Sequence, residues 1–339
     1  MARLEGWTPC LDGKRVLVTG AGGFIGGQFV ARLVRAGARV AAVSRTESPR
    51  WPTSGTVDFT PMTCDVRDPR AVARVVGEFA PEILFHFAAH PDGAESHEQA
   101  DAAVRVNVLG TLNLLEAFTA NQGRLFVFGD STKVYGNGPV PYRESLPPAP
   151  TSSYAIAKGA AWEFCRLYER LHETAVISLR PTMIYGPGQG RNVIGLVIEG
   201  VLAGKTEIPL MGGSQTRDPL FIDDALEAFL AAARVGPRIS GRIVALGGGA
   251  EISVHELARL VVEIMGARTK IVIQPQNARP TEIWRSYCDN EGAKALLGWT
   301  PSNSLEEGIR KTVDAMMATS GMETLGASSA RERASAAGP

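Results

Sequence analysis

The stretch Arg15-Val16-Leu17-Val18-Thr19-Gly20-Ala21-Gly22-Gly23-Phe24-Ile25-Gly26 decides how this chain is read. Arg15 to Thr19 is a compact, largely apolar run of strand character, and it breaks directly into glycines that open a helical pattern lasting through Ala36. A strand, a glycine-rich turn and a helix, in that order, give the glycine spacing a physical meaning. Gly20 permits the tight turn, Gly23 lets the backbone approach a pyrophosphate, and Gly26 lets the helix lie close on the strand. The helix N-terminus then offers unpaired N–H groups to an anion.

Outward from this unit the alternation repeats. Arg39 to Val43 reads as a second strand ending in Ser44-Arg45, where an NAD site usually carries an acidic residue for the ribose 2′-hydroxyl. A carboxylate there repels a 2′-phosphate, whereas Ser44 and Arg45 can bind one, so NADP is expected ahead of NAD. Val57 to Cys64 reads as a third strand, with Asp65 placed to accept from an adenine amino group and Asp68-Pro69 marking a helix start. Ile83 to Phe87 is a fourth strand leading into Ala88-Ala89, small enough for a cofactor to lie against the strand end. The next helix should begin near Glu98 and carry Asn107 on to about Ala120. With Leu125 to Gly129 and Ala175 to Leu179 as further strands, the chain reads as α/β, a doubly wound parallel sheet.

The candidate chemistry lies at Tyr154-Ala155-Ile156-Ala157-Lys158, with Ser131 after the strand-like run Leu125 to Phe128. A Tyr and a Lys four apart on a helix share a face. The ammonium can then favour the phenolate and bring the Tyr pKa down from its reference of about 10. Such a group transfers protons near neutral pH. A hydroxyl donor at Ser131 would stand beside a substrate oxygen, and the three together read as alcohol/ketone redox chemistry.

Composition excludes several other classes. Lys+Arg and Asp+Glu are both 35 in 339 residues, so no global field argues for nucleic acid or an anionic membrane surface. Cys10, Cys64, Cys165 and Cys288 are far apart and show neither metal-ligand nor disulfide spacing, which fits a reducing cytoplasm and no metal. Met1 to Lys14 lacks the apolar core of a signal peptide and reads as a short polar extension up to residue 13; no stretch approaches a membrane span. Capping boxes at Ser253/Glu256 and Ser304/Glu307 mark later helix starts, and His255 reads as a surface helix residue. After Thr319 the chain is Ser-, Ala- and Gly-rich and is expected to be a disordered tail.

These motifs, with Asn107-Val108-x-Gly110-Thr111, Val134-Tyr135-Gly136, Arg180-Pro181-x-x-Ile184-Tyr185-Gly186-Pro187, Arg217-Asp218-Pro219 and Leu296-Leu297-Gly298-Trp299, resemble the extended short-chain dehydrogenase/reductases, in particular the nucleotide-sugar epimerase/dehydratase group. The resemblance covers roughly residues 14–316. It implies a Rossmann domain over 14–180, rejoined by some later segments, and a smaller mixed substrate domain over 181–318. It also implies a nucleotide sugar in the cleft and a homodimer formed through the helices around 98–121 and 153–172. Tyr154 becomes the acid/base, Lys158 holds the nicotinamide ribose, and Ser131 orients the reacting oxygen. Phe24, Ile25, Val66, Asn107 and Pro181 join the cofactor contacts, with Thr132, Lys133 and Met183 on the substrate side. Arg217 and Arg279 are the cations expected on the substrate diphosphate, since a guanidinium fork suits phosphate oxygens.

Three positions depart from the family pattern. Dehydratases commonly follow the hydroxyl residue with Asp-Glu, where this chain has Thr132-Lys133; some that act on CDP-glucose carry a Lys, and His86 to Pro91 resembles them. Reductases that also epimerise at C3 and C5 carry a Cys at position 133 and a His after Tyr-Gly-Pro, where Gly188-Gln189 stands here. The Asn that usually contacts the diphosphate is Met183. A 4-epimerase, a 4-ketoreductase, a 4,6-dehydratase and a cofactor-binding protein without chemistry remain the alternatives.

Overall fold

The structure is a computed structural model that describes residues 7–46, 59–91, 93–190 and 192–318. The expected tail and the first two residues of the expected third strand lie outside these. The first half alternates β1 (Arg15–Thr19), α1 (Phe24–Arg35), β2 (Arg39–Ser44), β3 (Thr60–Thr63), α2 (Pro69–Phe79) and β4 (Ile83–His86). There follow α3 (His97–Ala103), a wide π turn (Val104–Leu109), α4 (Gly110–Ala120), β5 (Leu125–Gly129), α5 (Ser153–Leu171) and β6 (Ala175–Pro181). After Pro181 come β7 (Met183–Tyr185), α6 (Val193–Leu202), β8 (Glu207–Met211), β9 (Thr216–Arg217), β10 (Pro219–Phe221) and α7 (Ile222–Val235). The chain continues through β11 (Arg242–Leu246), β12 (Ile252–Ser253), α8 (Val254–Ile264), β13 (Lys270–Gln274), α9 (Glu291–Leu297) and a helix over residues 305–318 (α10).

Seven parallel strands form the main sheet in the order β11-β6-β5-β4-β1-β2-β3. Both faces are covered, which explains why its strands read as nearly continuous apolar runs. Val16 and Val18 face one core with Phe29 and Leu33 of α1 and Phe229 of α7; Leu17 faces the other with Phe118 of α4 and Trp162 of α5. Full burial of each such side chain contributes about 1.5–3 kcal/mol. The shorter pairs β7-β10, β9-β12 and β8-β13 are built from segments after Pro181, while β11 returns to pair with β6. From β1 successive strands are added on one side, through β2 to β3, and from β4 on the other, through β5 to β6, and a crevice opens beyond the carboxyl ends of strands at such a switch point.

The expected helix starts are present. Asp68 Oδ1 accepts from the backbone N–H of Arg70 at 2.9 Å and of Ala71 at 3.2 Å, and both capping boxes form. One expectation is corrected: residues 7–13 are no polar extension. Leu11 is buried in the core, and the Trp7 indole packs over Gly236 while its Nε1 donates to Arg234 O at 3.4 Å. The two apolar side chains of that stretch are what anchor it.

Candidate active site

Beyond β1 the backbone turns at Gly20 with φ +69°, and a Cβ there would lie 2.6 Å from Ala88 N. At Gly26 a Cβ would lie 2.4 Å from Gly20 O, so both glycines are required by the protein's own packing. Gly23 differs: a Cβ would meet only Gly20 O, at 3.1 Å, so its constraint faces outward, where a ligand's phosphates would approach. Helix α1 starts with neither a side-chain cap nor an acidic residue in its first turn. Its N–H groups and positive dipole end are thereby left for an anion. A cavity of about 460 Å³ opens here, lined by the glycine turn, Ser44, Arg45, Asp65, Val66 and the strand end at Ala88-Ala89. Small residues, backbone donors and the absence of a carboxylate at the anion position fit a dinucleotide.

The rim carries the expected residues in specific states. Ser44 Oγ donates to Thr46 O, and Arg45 is exposed. The Asp65 carboxylate accepts from Arg67 Nη2 at 2.7 Å and from the Arg67 backbone N–H at 3.0 Å, which holds it below the usual carboxylate range. Asn107 does not line this cavity. From the π turn its Oδ1 accepts from His90 N at 2.7 Å and its Nδ2 donates to His90 O at 3.2 Å, so it fixes the segment after β4. Phe24 and Ile25 likewise lie outside the lining and pack against the larger core.

Beneath the cavity the motif residues complete one another. Thr111 Oγ1 donates to Asn107 O at 2.6 Å and must therefore accept at 3.0 Å from His86 Nε2–H. His86 Nδ1 is then the acceptor for Thr19 Oγ1–H at 2.8 Å, and Thr19 Oγ1 accepts from Ala88 N–H at 3.3 Å. The partners thus assign the neutral tautomer of His86, in keeping with burial that pushes its pKa well below the ordinary value.

Ser131 stands two residues beyond β5, where its Oγ accepts from Lys133 N at 3.3 Å and caps a short 3₁₀ turn, Thr132–Tyr135. Its own O–H proton has no acceptor among the described residues. Tyr154 is the second residue of α5, whose first turn is capped by Ser152 Oγ accepting from Ala155 N at 3.3 Å. The positive dipole end of the helix favours negative charge at that place. One turn on, Lys158 is buried; its Nζ donates to Gly129 O at 2.6 Å and lies 4.7 Å from the Phe128 ring centroid. Burial brings its pKa down to about 8, against the opposing pull of the Asp130 carboxylate.

The pairing of Asp130 with Arg180, a residue known from the sequence only as part of a motif, was not anticipated. They form a fully buried ion pair, Arg180 Nε to Asp130 Oδ2 at 2.6 Å, directly behind Ser131. The same Oδ2 accepts from Ser178 Oγ at 2.8 Å, and Oδ1 accepts from Ser131 N at 2.8 Å. The Arg180 guanidinium lies 5.0 Å from the Tyr135 ring centroid. The buried Tyr135 hydroxyl feels that charge without making a well-formed hydrogen bond. The available signal was an acid next to Ser131 and an Arg near the end of a largely apolar strand.

On the expected substrate side, Thr132 is buried and its Oγ1 donates to Pro181 O at 3.2 Å, bracing β6. Lys133 is partly exposed, and Met183 starts β7 opposite Pro219 and packs against the larger core. The Arg217 guanidinium donates to Glu282 Oε1 at 2.5 Å and to Ile283 O at 2.8 Å, while Arg279 is exposed on the segment between β13 and these two partners.

Sequence comparison gives this geometry relatives. The profile described as "NAD dependent epimerase/dehydratase family" matches residues 16–247. The chain is 34% identical over 310 residues to the UDP-glucose 4-epimerase of Mycolicibacterium smegmatis, covering 88% of this chain and 97% of that one. It is 32% identical over 327 residues to the dTDP-glucose 4,6-dehydratase of Xanthomonas campestris pv. campestris, covering 88% and 92%. Among solved structures it resembles MoeE5 in complex with UDP-glucose and NAD, with a TM-score of 0.82 at 28% identity over 90% of this chain and 99% of that one. With the glycine turn, the strand-end hydroxyl and the Tyr/Lys helix all in place, the chain belongs to the NAD-dependent epimerase/dehydratase family.

Proposed function

We propose that this protein is a nucleotide-sugar 4-epimerase. The observation that carries the reading is Lys158 of α5 gripping the Gly129 carbonyl at the carboxyl end of β5, two residues before Ser131 and one helical turn after Tyr154, with no carboxylate at 132 or 133. A 4,6-elimination needs an acid and a base beside the sugar's C5 and C6. Thr132 is turned to Pro181 and Lys133 is a cation, so the chain has no such pair there. Inversion at one carbon needs a reversible proton transfer, a hydride acceptor, and room for the keto sugar to turn its other face before the hydride returns. A nicotinamide cofactor, when bound, would supply hydride uptake and return.

In this mechanism Tyr154, as phenolate, takes the proton of the sugar hydroxyl and later gives it back. Lys158 favours the phenolate by its charge and holds the nicotinamide ribose. Ser131, whose O–H is uncommitted among the described residues, donates to the reacting oxygen as it becomes a carbonyl. The glycine turn and the α1 N-terminus hold the cofactor phosphates, while Ser44 and Arg45 favour NADP over NAD. The relatives above point the other way on that choice, since MoeE5 was solved with NAD. Residues 181–318, apart from the returning β11, form the substrate-binding part, with Arg217 and Arg279 on the diphosphate. Ile156 and Leu171, more than half exposed on α5, and Val104 and Leu109 on the π turn form an apolar surface suited to a homodimer. Mass in solution checks that assembly.

The deciding experiment is a calorimetric panel of UDP, dTDP, GDP and CDP sugars with cofactor present, followed by turnover of the tightest binder. Arg217→Ala and Arg279→Ala should each weaken nucleotide binding by about 1.5–3 kcal/mol without changing cofactor affinity. Tyr154→Phe should cut turnover by at least roughly 100-fold, the scale of a general acid/base, and leave both ligands bound. If no nucleotide sugar binds, the substrate class is wrong. A Tyr154→Phe variant that stays within tenfold of wild type rules out the acid/base assignment.

A further inference from the structure

Lys158 is a cation in a place that opposes cations. It is 2% exposed, its Nζ has Gly129 O and the Phe128 ring beside it, and no carboxylate of the described residues forms an ion pair with it. The ionisable groups that face it come from several elements. His86 of β4 is neutral by its own hydrogen bonds, Cys165 of α5 is a thiol that burial keeps protonated, and Tyr154 shares the helix face. From the ends of β5 and β6 come Asp130 and Arg180, with Tyr135 beyond them. Asp130 is the one fixed negative charge in this set, and its peptide follows directly on the carbonyl that Lys158 grips.

We propose that Asp130 is a positioning residue for the reaction: its carboxylate, clamped by Arg180 and Ser178, fixes the turn that presents Ser131 and keeps Lys158 charged. One oxygen holds the Ser131 amide at 2.8 Å, so the position of the Ser131 hydroxyl depends on this side chain. The other holds Arg180 at 2.6 Å and Ser178 at 2.8 Å, which leaves the carboxylate no freedom to turn toward Lys158 and pair with it. The ammonium therefore feels an opposite charge while its N–H donors stay available for a ribose. A direct ion pair would have occupied them. Arg180 serves a separate purpose, since without it Asp130 would be an unpaired buried carboxylate.

The inference rests on the assignment of Lys158 to the cofactor, and the test separates the two. Cofactor binding is measured by calorimetry from pH 6 to 10, with no sugar present. Wild type should lose affinity as pH rises through about 8, where Lys158 gives up its proton, and Lys158→Met should show no such step. Asp130→Asn keeps an oxygen for the Ser131 amide but removes the charge, and should move the step to lower pH by about one unit. Turnover, once a substrate is in hand, should lose its alkaline limb by the same shift. Asp130→Asn with Arg180→Met leaves no buried charge unpaired and should move the step in the same direction by a smaller amount, since the opposing Arg180 charge is gone as well, and it decides the matter if the single variant does not fold. A wild-type step that stays in place in the folded variants, or a loss uniform across pH, overturns the inference alone. The absence of any Lys158-dependent step in wild type overturns the cofactor assignment beneath it.

Discussion

Under the cofactor cavity Thr19, His86, Thr111 and Asn107 are buried with no charge among them, whereas beyond the adjoining strands Asp130 and Arg180 are buried as ions. In the neutral cluster the Thr19 and Thr111 hydroxyls and the two ring nitrogens of His86 all have partners. Such a cluster fixes geometry and projects little field. The ionic cluster carries the larger desolvation penalty and places a fixed charge one residue from Ser131 and close to Lys158. The contrast teaches that the two parts of the site need different things from their foundations. The cofactor platform needs shape, and the proton-transfer group needs electrostatics.

The strongest way to break this comparison is Arg180→Met, which leaves Asp130 buried and unpaired and should cost about 3–5 kcal/mol of unfolding free energy. Adding Asp130→Asn should recover most of it. Denaturant melts read both, and a single-variant loss below about 1 kcal/mol would mean that the pair is no more demanding than an ordinary hydrogen bond.

Thr111→Val probes the neutral cluster. It keeps the shape, strands His86 Nε2–H without an acceptor, and should cost about 1–3 kcal/mol. The sign of the pH effect follows from His86. Its folded pKa is depressed, so its contribution is present above the unfolded value of about 6.5 and is lost as pH falls below it. Stability measured from pH 7 to 5 should fall, and less steeply in His86→Asn. An equal slope in the two proteins would show that His86 takes up a proton where it stands.

The smallest expected effect is at the rim, where Arg45→Asp should turn the preference toward NAD by roughly tenfold. Parallel titrations of the two cofactors read it. An unchanged ratio would mean that the exposed guanidinium takes no part in the choice.

What was legible in the sequence was local or periodic. Gly20 and Gly26 could be read because their constraints come from the turn itself and the strand end beside it, and Tyr154 and Lys158 because a helix brings positions four apart together. Thr19, His86 and Thr111 were visible as motif positions, but not as one chain of hydrogen bonds, because sheet register makes Thr19 and His86 neighbours across 67 residues. Asp130 with Arg180 and Arg217 with Glu282 are 50 and 65 residues apart, and a charge beside an apolar run carries no mark of its partner. Trp7 and Leu11 were overlooked because two apolar residues in a polar stretch make no period. Asn107 could be read as a motif position, but not as the side chain that holds the backbone of His90.

The π turn at Val104–Leu109 also sets a rule for how this chain tolerates insertion and deletion. A turn bonded five residues apart holds about one residue more than an ordinary turn of about 3.6, so removing one residue from it would let it relax into regular helix with α3 and α4 still in phase. Thr111 would stay under His86, but Asn107 would lose the widened turn from which it reaches the His90 backbone. A single-residue insertion is the opposite case. With the wide turn already holding its extra residue, one more would put the two halves of the helix out of phase and turn the exposed side chains of α3 in a new direction.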